Sequence, residues 1–469
     1  MSSFEKPCYN ASMEIKILDP VYSVITDKKY IPMVSGLLSF KAEYWRKQAI
    51  KTKDGIPTGK YKMSRQTYPK SMVLPSGMFF TGHIPKVVEY LQGKGIQPAI
   101  SQQNWPYVAR SPKIPLQLRP EQEKLVLNAV AAKRGILKAP TGFGKTFLAG
   151  AIISSVKDIK ALFLCHTITL VHQTIKEFEK LGLHVGFLTG TDKNLTGDVL
   201  VSTVQSFCRQ EQNLFDSFDM VIVDETHHLA KIGGLYFRTL TRLIAPYRYG
   251  LTATLPTGEE TKLLVEGLIG PLIDEFSLKE GTDRGILAVP KIKIIKIPVD
   301  YKVKELRKYQ DVYDQGIVNN RSRNRMIIKT AKDMATEGKT TLILITKIEH
   351  GMVLSEVAEM LGHKVCFIQG RDDGEMREMV RGSLNDKEIK TVIATQIWKE
   401  GVDVPSLDCI INAAGGKSEI AVLQGIGRGL RATKDKDSVL IVDFLDLSHH
   451  YLISHLGERL AIYSENDWL

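Results

Sequence analysis

Eight consecutive residues combine glycines with a lysine and a threonine, the residue types that bind nucleotide phosphates: Ala139, Pro140, Thr141, Gly142, Phe143, Gly144, Lys145 and Thr146. An apolar run precedes them and a helical pattern follows, so they lie where a strand turns into a helix. Glycines there let successive N–H groups point at phosphate oxygens, and the helix N-terminus adds positive potential. The sequence therefore predicts a P-loop in which Lys145 contacts the terminal phosphates of ATP and Thr146 binds Mg²⁺.

Two adjacent carboxylates, Asp224 and Glu225, end the apolar run 220–223. Such a run predicts a buried parallel strand, and ligands of open α/β sheets bind at the carboxyl ends of strands. Because two buried acids are costly without a cation, we expect Asp224 to hold Mg²⁺ and Glu225 to orient or deprotonate the attacking water. A pair of acids that caps the next helix is the structural alternative.

A third group supplies positive charge, because Gln424 opens a glycine-rich stretch that carries Arg428 and Arg431. Guanidinium groups stabilise the charge that develops on a transferred phosphoryl group, and residues three apart share a helix face. If these arginines lie in a different lobe from Lys145, ATP would bridge two lobes, so that binding closes a cleft and hydrolysis reopens it. A basic, solvated helix is the alternative.

Arg119 and Gln122 lie about one helix upstream of the predicted P-loop strand. The amide of Gln122 can both donate to and accept from the edge of a base, which suits adenine recognition. A lone glutamine is more often a solvated helix residue. The assignment therefore depends on the neighbouring P-loop.

Strands and helices alternate from residue 116 onward, a pattern typical of parallel α/β layers. A first series of strands is predicted at 136–139, 161–165, 199–202, 221–224 and 247–251. A connector is predicted near 290–300, followed by a charged helical stretch at 301–337. A second series follows at 341–345, 365–368, 391–394, 409–412 and 439–443.

Together these motifs resemble those of superfamily 2 helicases of the DExH type, a likeness that covers residues 116 to about 445. Further family motifs occur in order at 163–173, 202–205, 252–254 and 395–403. The resemblance implies two tandem RecA-like lobes, with ATP and Mg²⁺ as cofactors. It also implies that His227, Thr252 and Thr254 couple the nucleotide to the nucleic acid and that Gly401 and Asp403 face the nucleotide. Nucleic-acid contacts are implied for His166, Gln173, Thr203, Gln205 and Thr395. Gly425 replaces an arginine common in the family.

The N-terminal quarter carries almost all of the net charge of +11, because residues 1–115 contain 17 Lys and Arg but only 7 Asp and Glu. Its densest part interleaves basic groups with aromatic rings, and the predicted DNA-binding residues there are Trp45, Lys51, Lys53, Lys60 and Lys62. Basic groups neutralise phosphates, and aromatic rings stack on bases or wedge beside a junction. A small α/β domain whose lysines only keep it soluble is the alternative.

This segment also resembles, more loosely, the basic domain that precedes the lobes of phage recombination helicases of the UvsW type; residues 319–325 share that likeness. The resemblance implies DNA as the substrate, in branched or forked form. The predicted organisation is a basic α/β DNA-binding domain at 1–100, a linker at 101–115, RecA-like lobes at 116–290 and 291–448, and a helical tail at 449–469.

Five cysteines without metal-ligand spacing favour a reduced, cytoplasmic location, or the host cytoplasm for a phage protein. No apolar run approaches the roughly 20 residues that span a bilayer, and no signal peptide is recognised. The histidines at 449, 450 and 455 lack neighbouring ligands, so zinc is not predicted. We expect a monomer on DNA, with recombination or replication proteins as partners.

The leading hypothesis is an ATP-dependent DNA helicase or translocase that unwinds or branch-migrates forked and junction DNA. An RNA helicase shares every ATPase motif, since those motifs contact the backbone. A DNA-translocating motor subunit of a restriction-type complex shares them too.

Overall fold

The computed structural model describes residues 13–51, 57–101, 117–229, 232–256, 258–369, 374–395, 407–416 and 438–469. The chain divides into two compact units. The first contains residues 1–138 and 146–275, and the second contains residues 139–145 and 276–469.

The N-terminal part of the first unit contains six strands: β1 Glu14–Ile17, β2 Tyr22–Ile25, β3 Ser39–Lys51, β4 Pro57–Ser71, β5 Met78–Phe80 and β6 Ala99–Ser101. Its helices are α1 Ile31–Leu37 and α2 Ile84–Gln92. Four of the strands form a sheet in the order β5-β2-β1-β6, in which β1 pairs antiparallel with β2 and parallel with β6.

Strands β3 and β4 form a separate two-stranded antiparallel ribbon. With 13 and 15 residues at roughly 3.4 Å per residue, the ribbon is about 40 Å long. At its base Phe40 and Ala42 are buried, whereas Lys41, Tyr68 and Lys70 are exposed. Only the base of the ribbon therefore belongs to the core that the structure describes for this unit.

The eight strands of the next sheet are β7 Arg134–Lys138, β8 Ala161–Cys165, β9 Val185–Leu188, β10 Lys193–Asn194, β11 Val199–Thr203, β12 Met220–Asp224, β13 Tyr247–Thr252 and β14 Leu272–Glu275. Their order is β10-β9-β11-β8-β12-β13-β7-β14, and all pairs are parallel except β10 with β9. Strands β8 and β11 are buried throughout, as a parallel sheet covered on both faces requires.

Helices of this part are α3 Pro120–Ala132, α4 Lys145–Ser154, α5 Ile168–Lys180, α6 Val204–Phe207, α7 Gln212–Phe215, α8 Leu235–Arg242 and α9 Glu259–Leu268. Threonine side chains begin two of them: the Thr167 hydroxyl accepts from Leu170 N–H, and the Thr203 hydroxyl accepts from Ser206 N–H. These contacts satisfy N–H groups that have no partner within the helix.

The N-terminal sheet and the eight-stranded sheet share one hydrophobic core. Their contact is close, because a Cβ on Gly82 would lie 2.1 Å from the Glu266 carbonyl oxygen and one on Gly267 would lie 2.7 Å from His83 Nε2. Arg134 also donates to the Pro20 carbonyl oxygen at 2.8 Å. Phe40 and Ala42 belong to this same core and β3 contacts α9, so the base of the ribbon is anchored to the core beside α9.

The second unit contains a six-stranded, fully parallel sheet in the order β15-β20-β19-β16-β18-β17. The strands are β15 Val289–Ile297, β16 Thr341–Leu344, β17 Cys366–Ile368, β18 Thr391–Ala394, β19 Cys409–Asn412 and β20 Ser438–Asp446. The described helices are α10 Leu278–Asp283, α11 Tyr301–Lys304, α12 Tyr309–Tyr313, α13 Arg321–Thr336, α14 Ile348–Met360, α15 Gly374–Asn385 and α16 His450–Glu465.

The two parallel sheets confirm the predicted fold class of two tandem RecA-like lobes. One local prediction was wrong: the connector expected near 290–300 is largely strand β15, an edge strand that pairs with β20. The stretch 301–337 is mostly helical, as predicted, but it is divided into α11, α12, a π-helical turn at Asp314–Val318 and α13. Within the described part of the chain, no helix is both long and apolar enough to cross a membrane.

Candidate active site

The predicted P-loop follows β7 and ends at the first residue of α4. Gly142 and Gly144 have φ angles of +85° and +94°, which side chains other than glycine rarely adopt. Phe143 N–H donates to the Pro140 carbonyl oxygen at 3.2 Å. The loop thus curls before α4 begins, as a phosphate cradle at a helix N-terminus requires.

The Phe143 ring anchors this loop. It is buried and packs against Phe276, with 4.5 Å between ring centroids. Lys145 Nζ lies 3.5 Å from the carbonyl oxygen of Ala139, so the side chain folds back toward the start of the loop. Thr146 occupies the next position in α4 and is half-buried.

Asp224 is the last residue of β12, and Glu225 follows it in a left-handed conformation with φ +49° and ψ +64°. Asp224 Oδ1 accepts a hydrogen bond from Glu225 N–H at 3.1 Å. A left-handed backbone is costly for a residue with a Cβ, and such strain concentrates at functional sites. The strained turn fixes the direction in which the Glu225 carboxylate leaves the sheet.

Three parallel strands bring the predicted residues to one edge of the sheet. Thr252 is in register with Lys138, and Leu251 with Asp224. Neighbouring strands lie about 4.8 Å apart, so the ends of β12 and β7 are roughly 10 Å apart with β13 between them. The P-loop begins in the chain at Ala139, directly after Lys138, the last residue of β7.

His227 connects the second carboxylate to the end of β13. Its Nδ1 lies 3.4 Å from Glu225 Oε2 and 3.4 Å from the Thr252 hydroxyl. The Thr252 hydroxyl donates to the Thr254 carbonyl oxygen at 2.7 Å and lies 3.2 Å from Thr254 N. The structure therefore brings the three residues with a predicted coupling role into one chain of contacts that ends at Glu225.

His228 belongs to this arrangement and was missed from the sequence. Its ring stacks between those of His166 and His227, with centroid distances of 4.3 and 4.4 Å. His166 follows the end of β8, where a nucleic-acid contact is predicted. The doubled histidine after Asp224-Glu225-Thr226 was the available signal.

Other predicted nucleic-acid residues lie on helices and at strand ends, in different surroundings. Gln205 is exposed in α6, and Gln173 is half-buried in α5. Thr203 is buried, and its hydroxyl lies 2.8 Å from the Ser206 hydroxyl and caps α6. Thr395 is buried after β18. Any contact of Thr203 with nucleic acid would have to come from its backbone.

Arg119 and Gln122 open α3. Gln122 is buried, and its Oε1 accepts from Arg119 N–H at 3.2 Å as part of a capping arrangement. The amide therefore fixes the start of α3, while its nitrogen keeps the donor character that adenine recognition requires.

Several predicted residues lie outside the described residues: Lys53, Gly401, Asp403, Gln424, Arg428 and Arg431. For Trp45, Lys51, Lys60 and Lys62 the backbone is described and lies in β3 or β4. Trp45 is in register with Arg65, Gln48 with Lys62, and Ala49 with Tyr61.

No group of three or more His, Cys, Asp and Glu side chains among the described residues is arranged to hold a metal ion. Mg²⁺ does not need such a cage, because it is usually held by one or two protein oxygens together with substrate phosphates and water. The Thr146 hydroxyl and the Asp224 carboxylate are hard oxygen donors of the required kind.

Comparisons with known proteins place this geometry in a family. Residues 115–257 match the sequence profile of the type III restriction enzyme res subunit, and residues 322–433 match the helicase conserved C-terminal domain. Both domains of the helicase motor are therefore present, in the expected order.

Individual similar proteins support the same assignment. The DNA 3'-5' translocase XPB2 of Sulfurisphaera tokodaii is 28% identical over 70% of this chain and 81% of its own length. The ATP-dependent DNA helicase uvsW of Enterobacteria phage T4 is 24% identical over 73% of this chain and 74% of its own. The structure of S. cerevisiae Dbp5 bound to RNA and ADP BeF3 superposes with a TM-score of 0.53 at 14% identity, covering 75% of this chain and 92% of that one. The chain is a superfamily 2 helicase, an ATP-dependent enzyme.

Proposed function

We propose that this helicase acts on DNA, and that it unwinds or branch-migrates forked and junction DNA in recombination, repair or replication restart. The β3–β4 ribbon is the observation that supports branched DNA as the substrate. It is long, basic and anchored at its base to the core that carries Asp224 and Glu225.

The proposed ATPase roles belong to residues at the carboxyl ends of the strands and in the P-loop. Lys145 and backbone N–H groups of the loop after Pro140 bind the phosphates, Glu225 orients and deprotonates the attacking water, and the strained turn after β12 holds its carboxylate in place. Thr146 and Asp224 would hold Mg²⁺, which neutralises charge on the phosphates when bound. Arg119 and Gln122 bind adenine.

Residues from the second lobe complete the proposed site. Gln424 faces the γ-phosphate, Arg428 and Arg431 stabilise the transition state, and Gly401 and Asp403 contact the nucleotide. These five assignments rest on the sequence motifs.

Coupling between ATP hydrolysis and nucleic-acid binding would run through His227, His228 and His166. Glu225 contacts His227, and His227 contacts the Thr252 hydroxyl and the His228 ring, which stacks on His166. A change at the γ-phosphate that moves Glu225 would therefore alter the residues from which nucleic-acid contacts are expected. Gln173, Gln205 and Thr395 would contribute further contacts to the same strand.

The choice of DNA is supported by sequence relatives rather than by the fold. XPB2 and uvsW are both named for action on DNA. Dbp5 was seen bound to RNA, so the shared two-lobe architecture is compatible with either nucleic acid. A motor subunit of a restriction-type complex is the second candidate, favoured by the profile match at 115–257.

The ribbon suits a junction because of its dimensions and charge. Residues 44–66 contain seven Lys and Arg and a single acidic residue, Asp54. A two-stranded ribbon fits the major groove of a duplex, and its aromatic residues, Trp45 among them, can stack where strands separate. In the sequence, Lys51, Lys53, Lys60 and Lys62 lie within 12 residues of one another around the segment that joins β3 to β4, and they would neutralise phosphates on a second arm.

Strand separation tests the proposal. A labelled forked duplex and a mobile four-way junction are incubated with protein and ATP, with a non-hydrolysable analogue as control. We expect ATP-dependent separation of the fork and resolution of the junction into two duplexes. Absence of both products, with ATP hydrolysis intact, would favour the partner-dependent restriction-type motor.

A further inference from the structure

The residues Ala413–Gly416 leave β19 and lead toward the stretch that contains Gln424, Arg428 and Arg431. Three buried side chains from three helical segments donate to carbonyl oxygens of this tetrapeptide. Arg323 Nη1 donates to Ala413 at 2.9 Å, the Tyr313 hydroxyl to Ala414 at 2.8 Å, and Arg459 Nη1 to Gly416 at 2.8 Å. We call Tyr313, Arg323 and Arg459 the brace.

Arg459 is held by Asp443 in the interior of β20. Its Nε and Nη2 donate to Oδ2 and Oδ1 of Asp443 at 2.7 and 2.9 Å. The Tyr463 hydroxyl donates to Asp443 Oδ2 at 2.8 Å, and burial followed by the Asp443 charge raises the Tyr463 pKa. All three side chains are almost fully buried, so the fork of Arg459 has one orientation.

Arg323 is held in a similar way. Its Nε lies 3.3 Å from Asp446 Oδ2, and its guanidinium stacks over the Phe444 ring at 4.6 Å. It belongs to the segment 319–325, in which the Asn320 side chain caps α13 by accepting from Arg323 N–H at 3.0 Å. That segment, singled out in the sequence, therefore has a structural purpose in the second lobe.

The tetrapeptide itself is adapted to close packing. Gly415 has φ +63°, and a Cβ there would lie 3.0 Å from Ile317 Cδ1. The left-handed φ and this close approach both favour glycine where the chain passes between the π-helical turn and the brace.

Stability alone does not account for this arrangement. Buried ion pairs cost desolvation, and well-packed apolar residues of similar size often serve stability equally well. Here two buried arginines donate hydrogen bonds to backbone carbonyls of one short segment. Apolar side chains could stabilise the fold, but they could not fix the path of that segment by hydrogen bonds.

We propose that Tyr313, Arg323 and Arg459 are positioning residues for ATP hydrolysis, which act by fixing the path of the chain into the segment with Arg428 and Arg431. The inference rests on the proposed catalytic role of those two arginines. Because displacements of about 1 Å remote from the reacting atoms can cost 10²-fold in rate, loosening the brace should lower turnover without changing the nucleotide site itself.

The test uses the full-length protein with DNA at saturation. Arg459→Met is combined with Asp443→Asn so that no unpaired buried charge remains, and Tyr313→Phe provides a milder variant. Leu456→Ala, a buried position on the same helix, controls for loss of stability. Turnover number, KM for ATP, affinity for a non-hydrolysable ATP analogue and melting temperature are measured for each.

We expect the double variant to lose about 10- to 100-fold in kcat, with analogue affinity within about 3-fold, and Tyr313→Phe to lose less. Leu456→Ala should lower the melting temperature with kcat retained. Equal losses of kcat in the double variant and Leu456→Ala, or no loss in the double variant, would overturn the proposal.

Arg431→Ala separates this inference from the function on which it rests. If Arg431→Ala leaves turnover unchanged, the catalytic assignment fails. If Arg431→Ala lowers turnover but the brace variants do not, the brace proposal alone fails. Adding the double variant to Arg431→Ala should give less than the product of the two separate losses, because both act on the same group.

Discussion

Lys145 folds back toward the first residue of its own loop, where its ammonium group lies 3.5 Å from the Ala139 carbonyl oxygen. A phosphate bound at the N-terminus of α4 would offer the ammonium a far stronger partner than a neutral carbonyl. We therefore expect Lys145 to bind phosphate, a role separate from the predicted DNA track.

Lys145→Ala should reduce ATP hydrolysis to background while DNA binding stays largely intact. ATPase rates and fork binding by fluorescence anisotropy measure the two effects. Lys157→Ala, at an exposed lysine, is the matched control and should behave as wild type. ATPase activity near wild type in Lys145→Ala would refute the P-loop assignment.

Glu225 is the second residue with a distinct prediction, because its carboxylate leaves a strained backbone and contacts His227. Glu225→Gln keeps the size and much of the hydrogen bonding but removes the base. We expect ATP to bind without turnover, on the order of 10²- to 10⁴-fold slower, and the DNA complex to be longer-lived with ATP than with ADP. Rapid-quench turnover and complex lifetimes test this; hydrolysis at the wild-type rate would show that Glu225 is not the base.

At the scale of elements, the sequence predicted those strands whose apolar runs are continuous. β8, β18 and β19 have the expected bounds, since a parallel strand buried on both faces leaves an unbroken run. Edge strand β15 alternates Lys and Ile instead, a pattern that does not distinguish it from a connector. Its pairing with β20 is a long-range contact, which a local sequence pattern cannot predict.

Breaks within helices were equally hard to predict. The stretch 301–337 is charged and periodic, but Asn320 caps a new helix at Arg321. In the candidate site, the sequence motifs predicted which residues take part, among them Lys145, Asp224 and Glu225. The left-handed turn at Glu225 and the stacking of His228 depend on tertiary contacts, so they appear only in the structure.

The pair of helices α13 and α14 encloses a buried histidine that makes this unit sensitive to acid. His350 Nε2 lies 3.0 Å from Asn324 Oδ1, while Asn324 Nδ2 donates to the Val318 carbonyl oxygen. The Asn324 oxygen is therefore the acceptor and Nε2 the donor, and His350 is neutral. Burial, reinforced by the charge of Arg323, lowers the His350 pKa to about 3.

Below about pH 6.5 the unfolded chain holds a proton on His350 that the folded unit does not, so stability is full above that pH and falls as the pH drops toward 3. The loss should reach about 2 kcal/mol at pH 5. Urea unfolding of the second unit, followed by hydrogen exchange in α13 and α14 at pH 7.5 and 5, measures it. His350→Gln, which keeps a neutral donor, should remove this part of the pH dependence, whereas His184→Gln at an exposed site should not; an unchanged pH dependence in His350→Gln would contradict the account.

Across the N-terminal quarter as a whole, much of the charge lies in one short stretch, because residues 44–66 contain seven of its 17 Lys and Arg. Deleting residues 1–100 would uncover apolar residues of the shared core, including Leu264 and Leu268. Replacing 44–66 by Asn-Gly leaves Glu43 and Thr67, which are in register, joined by a tight hairpin turn.

The shortened ribbon should weaken junction binding and its preference over single strands, with basal ATPase activity retained. The slope of log affinity against log salt should flatten by about 0.7 to 0.9 for each phosphate that the protein no longer neutralises. Charge reversal of Lys51, Lys53, Lys60 and Lys62 should reproduce part of the effect, and Trp45→Ala should reduce unwinding more than binding. The same reversal at exposed Lys291, Lys293, Lys296 and Lys302 is the control for net charge; equal salt slopes for all proteins would remove the ribbon from the DNA interface.

We expect ATP hydrolysis to be coupled to branched DNA, and steady-state ATP turnover with several nucleic acids compared side by side measures this coupling. Single-stranded DNA, forked DNA, a four-way junction and single-stranded RNA are supplied at equal nucleotide concentration. We expect the greatest stimulation with forked and junction DNA, less with single-stranded DNA and little with RNA. Stimulation by RNA equal to or above that by every DNA, or turnover indifferent to all four, would contradict the account.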